Sequence, residues 1–244
     1  MNISISRDAS ELGRQAADLI SETLNRLINE NGEARIAVST GSSQFGMFNE
    51  LIQREINWSV VEIFHLDEYI GLPVTHKASF RKYLNERFIS HITPKKFHSV
   101  TVEGDVKARI RDLSFEIGRK PIDIGLIGIG VNGHIAFNDP PADFNSRDAY
   151  IIVKLDDQCK MQQVNEGWFG SVGEVPGEAI SMSVWQIMQC RKIISVVPHE
   201  VKAEAVFKTL TSRLNPDIPA TMLKQHPDWN LFLDRNSASK LISF

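Results

Sequence analysis

Residues 128–140 read GIGVNGHIAFNDP and bring an imidazole, an amide and a carboxylate into one glycine-rich turn. The imidazole is His134, a side-chain type that gains and loses protons near neutral pH. Asn132 lies two residues before it and can accept a hydrogen bond from a ring N–H through its amide oxygen. It has no charge with which to stabilise an imidazolium, as a carboxylate would. Asp139 follows five residues after His134 and can supply that charge. A second carboxylate, Asp67, closes the apolar run VEIFHLD, and STGSS at 39–43 closes the run ARIAV. Hydroxyls and backbone amides ahead of a helix suit an anion such as a phosphate. Each group has a plainer reading as well. Such a histidine can be structural, Asn and Asp make turns, and short Ser/Thr patterns cap helices.

The first six residues of 128–140 also spell the G-x-G-x-x-G of a dinucleotide-binding turn, after the strand-like run IDIGLI. That fingerprint needs a helix opening at its third glycine, to place the pyrophosphate on the helix N-terminus. Only six residues separate Gly133 from Pro140-Pro141. Proline removes a donor and disfavours helix in the residue before it. The chain therefore lacks room for the crossover helix, although Asp156 stands roughly where a ribose-binding acid would be sought. The expectation is that these glycines serve His134 and not NAD.

The elements that must position these groups alternate. A helix is expected over 9–30, where Leu12, Ala16, Leu19, Ile20, Leu24, Leu27 and Ile28 form one apolar stripe, capped by Asp8 or Ser10 and ended by Asn31-Gly32. Further helices are expected over 45–55, 79–92, 106–120 and 199–210, and strands over 34–40, 61–67, 122–127, 150–155, 192–198 and 230–234. The stretch 68–78, EYIGLPVTHKA, reads as a loop. Apolar strands alternating with amphipathic helices predict an α/β fold: one domain over 1–244, with an open, mostly parallel sheet covered by helices on both faces. Ligands of such sheets bind beyond the carboxyl ends of the strands. Those ends carry Ser39, Thr40, Gly41, Ser42 and Ser43, then Asp67 and Glu68, then 128–139, then Pro198 to Lys202. If the strand period continues past Asp67, Glu68 points to the other face.

Composition narrows the function. The 244 residues are 42% hydrophobic and 23% charged, with a formal net charge of −3 and no basic block, which argues against nucleic acid as the partner. The two cysteines suggest no disulfide framework. No apolar run reaches membrane-span length and the N-terminus has no signal pattern, so a cytoplasmic location is expected. His65, His76, His134 and His199 are scattered, and no metal-binding spacing is visible.

LDEYIGLP at 66–73 and GIGVNGHIAFNDP at 128–140 resemble the two signature segments of the glucosamine-6-phosphate deaminases, a family that includes galactosamine-6-phosphate isomerase-like relatives and shares its fold with 6-phosphogluconolactonases. STGSS resembles that family's phosphate loop and PHEVKAEAV the segment with its phosphate lysine, so the resemblance covers nearly the whole chain. The resemblance implies a Rossmann-like sheet and conversion of a hexosamine 6-phosphate to a ketohexose 6-phosphate and ammonia, with no cofactor. It implies Asp67 as the base that takes the C2 proton, His134 as the ring-opening residue with Asp139 as its acidic partner, and Ser39, Thr40, Gly41, Ser42, Ser43 and Lys202 as phosphate ligands.

The chain departs from the pattern in three places. Asn132 stands where the well-known deaminases have Asp, and Asp139 where Glu is usual. The stretch 160–176 has no arginine where the deaminases use one for the phosphate, which leaves Arg81 or Arg147 as substitutes. Residues matching the allosteric cation positions are Ala149 and Ile151, after Ser146-Arg147, which predicts hyperbolic kinetics. A lactone hydrolase and a catalytically silent sugar-phosphate sensor are the alternative functions, and a homo-oligomer is compatible with all three.

Overall fold

The computed structural model describes residues 1–165 and 167–241; Glu166 and the last three residues of the domain expected over 1–244 lie outside the described residues. The strands are β1 (Asn2–Ser6), β2 (Ala34–Val38), β3 (Val61–His65), β4 (Asp67–Tyr69), β5 (Lys96–His98), β6 (Ile124–Leu126), β7 (Tyr150–Lys154), β8 (Glu178–Met182), β9 (Lys192–Val197) and β10 (Trp229–Asp234). The helices are α1 (Ala9–Asn31), α2 (Phe45–Leu51), α3 (Phe80–Arg87), α4 (Val106–Gly118), α5 (Asp157–Asn165), α6 (Val184–Ile187) and α7 (Ala203–Thr211).

Seven strands form a parallel sheet in the order β1-β10-β9-β6-β2-β3-β5. Its central strands β2, β6, β9 and β10 are buried on both faces, as their largely apolar runs require. Ile36 and Val38 join the core under α1, α2 and α3, while Ala37 joins the core under α4, α6 and α7. Helix α1 starts where the Asp8 side chain accepts from the Glu11 N–H and stops at Gly32, whose φ of 75° supplies the left-handed C-cap.

The largest departures from expectation gather in one place. β7 was expected in the parallel sheet, but it belongs to a separate three-stranded antiparallel sheet, β4-β8-β7. Its alternating exposure marks a strand with one free face, which an antiparallel sheet tolerates and a parallel one rarely does. The strand expected over 61–67 is two strands. β3 ends at His65, and the chain passes through Leu66, whose carbonyl accepts from the Met182 N–H, into β4 of the small sheet. Thus 68–78 is not wholly a loop: Glu68 and Tyr69 pair with Ile180 and Ala179. The switch carries Asp67 off the main sheet. Other helices are shorter than expected; α2 ends at Leu51, and α3 is followed by a 3-10 turn at Ile89–His91. Helix 199–210 is a 3-10 turn, Glu200–Lys202, running into α7. Among the described residues, no helix is long and apolar enough to cross a membrane.

Candidate active site

A cleft of about 400 Å³ opens where β2, β3, β6 and β9 end. Ser39, Thr40, Gly41, Ser42, Ser43, Asp67, His134, Asp139 and Lys202 all line it. Asn132 stands behind His134 and not in the lining. A second hollow of about 440 Å³, beside β5 and α4, holds none of the residues expected to do chemistry.

His134 is held by two neighbours. Its Nδ1 lies 2.7 Å from Asn132 Oδ1 and 3.2 Å from Asp139 Oδ1. The backbone N–H of His134 also donates to Asn132 Oδ1, at 3.1 Å, and Asn132 Nδ2 donates to Asp139 Oδ1, at 3.1 Å. These contacts fix the amide's orientation, because its oxygen faces an N–H and its nitrogen faces a carboxylate. An amide oxygen only accepts, so the ring proton sits on Nδ1 and Nε2 is the atom left for a ligand. Asn132 therefore orients the ring as its type allows, while Asp139 contributes the charge. Burial would raise the Asp139 carboxyl, but the hydrogen bond and charge of His134, with bonds from Cys159 and Asn132, outweigh it and hold the group at about 2.

The glycines of G-x-G-x-x-G serve this arrangement. A Cβ on Gly130 would lie 2.2 Å from Cε1 of His134, so the ring rests flat on that glycine. Gly133 makes its turn at φ 84°. The Gly128 N–H donates to Ser39 Oγ at 3.2 Å, which ties the histidine turn to 39–43 and leaves the Ser39 hydroxyl proton for a ligand. No helix follows; the next regular element is β7.

Asp67 is 5% exposed, and its Oδ1 has no hydrogen-bond partner among the described residues. Burial first, then the carboxylates of Glu68 and Asp139, push its carboxyl well above the usual carboxylate range. Glu68 has the opposite surroundings. Its carboxylate accepts from Ser79 Oγ at 2.8 Å, from the backbone amides of Tyr69, Phe80 and Arg81, and from Arg81 Nε at 3.2 Å. It thereby caps α3 and stays out of the cleft lining, as the alternation at Asp67 predicts.

One end of the cleft consists of two similar turns. Gly41, at φ 108° and ψ 155°, precedes a 3-10 turn, Ser42–Gln44, that runs into α2. His199, at φ 79° and ψ 146°, precedes the 3-10 turn that carries Lys202 into α7. Lys202 is half-buried in the cleft wall. That backbone region is almost confined to glycine and costs another residue about 1–3 kcal/mol. The His199 N–H is held there by both carboxylate oxygens of Asp234, at 3.2 and 3.1 Å.

Neither arginine suggested as a second cation reaches the cleft. Arg81 is bound to Glu68, Glu103 and the Leu72 carbonyl, and Arg147 donates to the carbonyls of Phe144, Asn145 and Ser146. Lys77 does line the cleft, and its Nζ donates to the Gly167 carbonyl at 2.8 Å. Sequence reading passed over Lys77 because it lies in a stretch read as a loop; its place just before the Ser79 cap was the available signal. Cys159, also in the lining, was missed, and His199 fell within the strand end Pro198 to Lys202 without being given a role. Among the described residues, no group of three His, Cys, Asp or Glu side chains could hold a metal ion.

Comparison with known proteins agrees with this architecture. The profile of the family described as glucosamine-6-phosphate isomerases/6-phosphogluconolactonase matches residues 7–231. A glucosamine-6-phosphate deaminase of Clostridium novyi is 34% identical over 99% of this chain and 100% of its own. One from Streptococcus thermophilus is 32% identical over 95% of this chain and 96% of its own. The solved structure of a monomeric glucosamine-6-phosphate deaminase superposes with a TM-score of 0.88 at 31% identity, over 98% of this chain and 99% of that one. A 6-phosphogluconolactonase from Trypanosoma brucei shares the fold, with a TM-score of 0.76 at 17% identity, over 98% of each chain.

Proposed function

The chain belongs to the family of glucosamine-6-phosphate isomerases and 6-phosphogluconolactonases, and from that membership we propose that it is an enzyme that isomerises and deaminates a hexosamine 6-phosphate to a ketohexose 6-phosphate and ammonia. The observation that carries the reading is one cleft holding three sets of groups. These are the His134–Asn132–Asp139 set, a buried carboxylate with an unpartnered oxygen at Asp67, and the hydroxyls of 39–43 with Lys202.

Each part answers a chemical need. Ring opening moves a proton between the anomeric hydroxyl and the ring oxygen, and Nε2 of His134 is the atom that carries it. Asp139 balances the imidazolium formed during the transfer. Asp67 then takes the proton from C2 and returns one to C1, which converts the amine-bearing carbon to an imine that water hydrolyses to the ketose and ammonia. A base at C2 must be ionised when substrate is bound. The ammonium of an amino sugar sits on that carbon and brings the positive charge that an isolated, raised carboxyl lacks. The phosphate, with two negative charges, meets the first-turn amides beyond Gly41, the hydroxyls of Ser39, Thr40, Ser42 and Ser43, and the ammonium groups of Lys202 and Lys77. No step exchanges electrons with an outside acceptor, so the chemistry calls for no redox cofactor. The partner is a small sugar phosphate and not a nucleic acid, and the setting is cytoplasmic metabolism.

The test is release of ammonia from glucosamine 6-phosphate and from galactosamine 6-phosphate, with hydrolysis of 6-phosphogluconolactone measured in parallel. Ammonia from either epimer is the expected result and names the preferred sugar. Lactone hydrolysis without ammonia, or binding of both amino sugars without turnover, overturns the reading.

A further inference from the structure

We propose that His199 is a phosphate-reading residue, whose imidazole donates to the phosphate group of the substrate beside Lys202. The inference rests on the cleft being the sugar-phosphate site argued above.

The two turns at the anion-binding end give the reason. β2 and β9 flank β6 in the sheet, so the turn after each strand lies next to the 128–134 turn. Both turns have nearly the same backbone shape at the residue before the 3-10 helix. At Gly41 a Cβ would meet nothing within 4 Å, so this backbone shape directs a side chain into open space. At His199 there is a side chain, and it lines the cleft with Ser42, Ser43 and Lys202. Glycine would take this conformation without strain. Instead the chain carries an imidazole there and a dedicated support for it. Asp234 grips the His199 N–H with both oxygens and is itself buried and fixed by the Ser237 N–H at 2.7 Å. The arrangement keeps a planar N–H donor at a position where the backbone alone favours none. An imidazole offers one N–H when neutral and two when charged, and both forms can donate to a phosphate oxygen. Lys202 contributes a point charge, and the ring adds direction.

The native residue is its own best control, because glycine fits the backbone better than histidine does. His199→Gly folds, with a Tm no lower than native, and loses only the ring. The expected result is a rise of about tenfold in KM for the amino-sugar phosphate, with kcat within about twofold of native, as loss of a charge-assisted hydrogen bond to a bound anion predicts. Calorimetry should show fructose 6-phosphate and inorganic phosphate binding the Gly variant more weakly by the same factor. His199→Gln keeps a side-chain N–H and recovers part of the loss. KM and both dissociation constants within twofold of native in the Gly variant would overturn the proposal, as would a Gln variant no better than the Gly variant. The two readings fail separately. If native protein releases no ammonia yet His199→Gly weakens inorganic phosphate binding, the amino-sugar reading falls and this one stands. If ammonia is released and phosphate binding is unchanged by the variant, the reverse holds.

Discussion

The cleft draws its lining from two regions that hold their groups by different means. The ends of the parallel strands hold theirs through the backbone. Gly41 and Gly133 adopt positive φ, Gly130 lets an imidazole lie against it, and His199 is pinned by its N–H. The small antiparallel sheet with α3 and α5 holds its groups through side chains. Glu68 ties β4 to α3, the Tyr69 hydroxyl donates to Gln163 at 2.8 Å, and Tyr69 meets Phe137 and Phe169 edge-on and Phe80 at a tilt while Phe80 stacks on Phe137, with ring centres 4.8 to 5.6 Å apart. Backbone turns can cradle an anion with little reorganisation. Buried side chains create the low-dielectric pocket that a displaced carboxyl such as Asp67 requires. On the proposed reading, recognition and proton abstraction fall to regions whose construction suits each.

The largest expected effect comes from the side-chain region. Asp67→Asn keeps the shape and removes the base, and should lower kcat by about a thousandfold, with fructose 6-phosphate binding nearly unchanged by calorimetry. Ammonia formation at near-native rate would end the division of labour drawn above. Next is the backbone region. Gly130→Ala places a methyl where the His134 ring lies and should cost on the order of a hundredfold in kcat, since about 1 Å of misplacement has that effect. Turnover of an open-chain substrate analogue should be spared, because on the proposed reading only ring opening passes through His134.

Lys77→Met should raise KM about tenfold with little change in kcat, in steady-state assays, if the small-sheet region also touches the phosphate. An unchanged KM would confine phosphate recognition to the parallel-strand turns. pH supplies a smaller, signed test. Because burial raises the Asp67 carboxyl, kcat/KM should fall on acidification at a higher pH than an ordinary aspartate would dictate. The sign for stability is opposite to that of a salt-bridged acid. A carboxyl with a raised folded-state pKa costs stability as pH rises through its unfolded value near 4 towards its folded value. Asp67→Asn should therefore raise the Tm at neutral pH and flatten its pH dependence. The smallest effect is none: with Ala149 and Ile151 where cations would be needed, N-acetylglucosamine 6-phosphate should leave the rate curve hyperbolic and unmoved.

The same contrast explains what the sequence disclosed. The parallel-strand ends are legible because ARIAV, IDIGLI and KIISVV are buried on both faces, and glycine-rich turns follow the first two. His134, Asn132 and Asp139 share one such turn, and the structure brings them within hydrogen-bonding distance. The other region is poorly legible. β4 has three residues, too few for an alternation to register. β8, EAISM, mixes small and polar residues, and α5, DQCKMQQVN, has almost no apolar face. Their pairing is set by tertiary contacts, above all the switch at Leu66, which no local pattern announces. The edge strand β1, NISIS, does alternate, but five residues ahead of a long helix carry little weight.

That switch has a consequence for how such a protein tolerates change in length. Asp67 and Glu68 are neighbours in the chain, yet one carboxylate has an oxygen with no partner and the other is saturated with donors. Which residue receives which fate depends only on odd or even position along β4. Deleting one residue between His65 and Asp67 would draw Glu68 into the place of Asp67 and Tyr69 into the place of Glu68, whereas inserting one ahead of Leu66 would put Asp67 at the helix cap and Leu66 at the cleft. Either change leaves one of the two places without an acid, the helix cap after the deletion and the cleft after the insertion. The segment can drift in residue type elsewhere along its length, but it is locked in count.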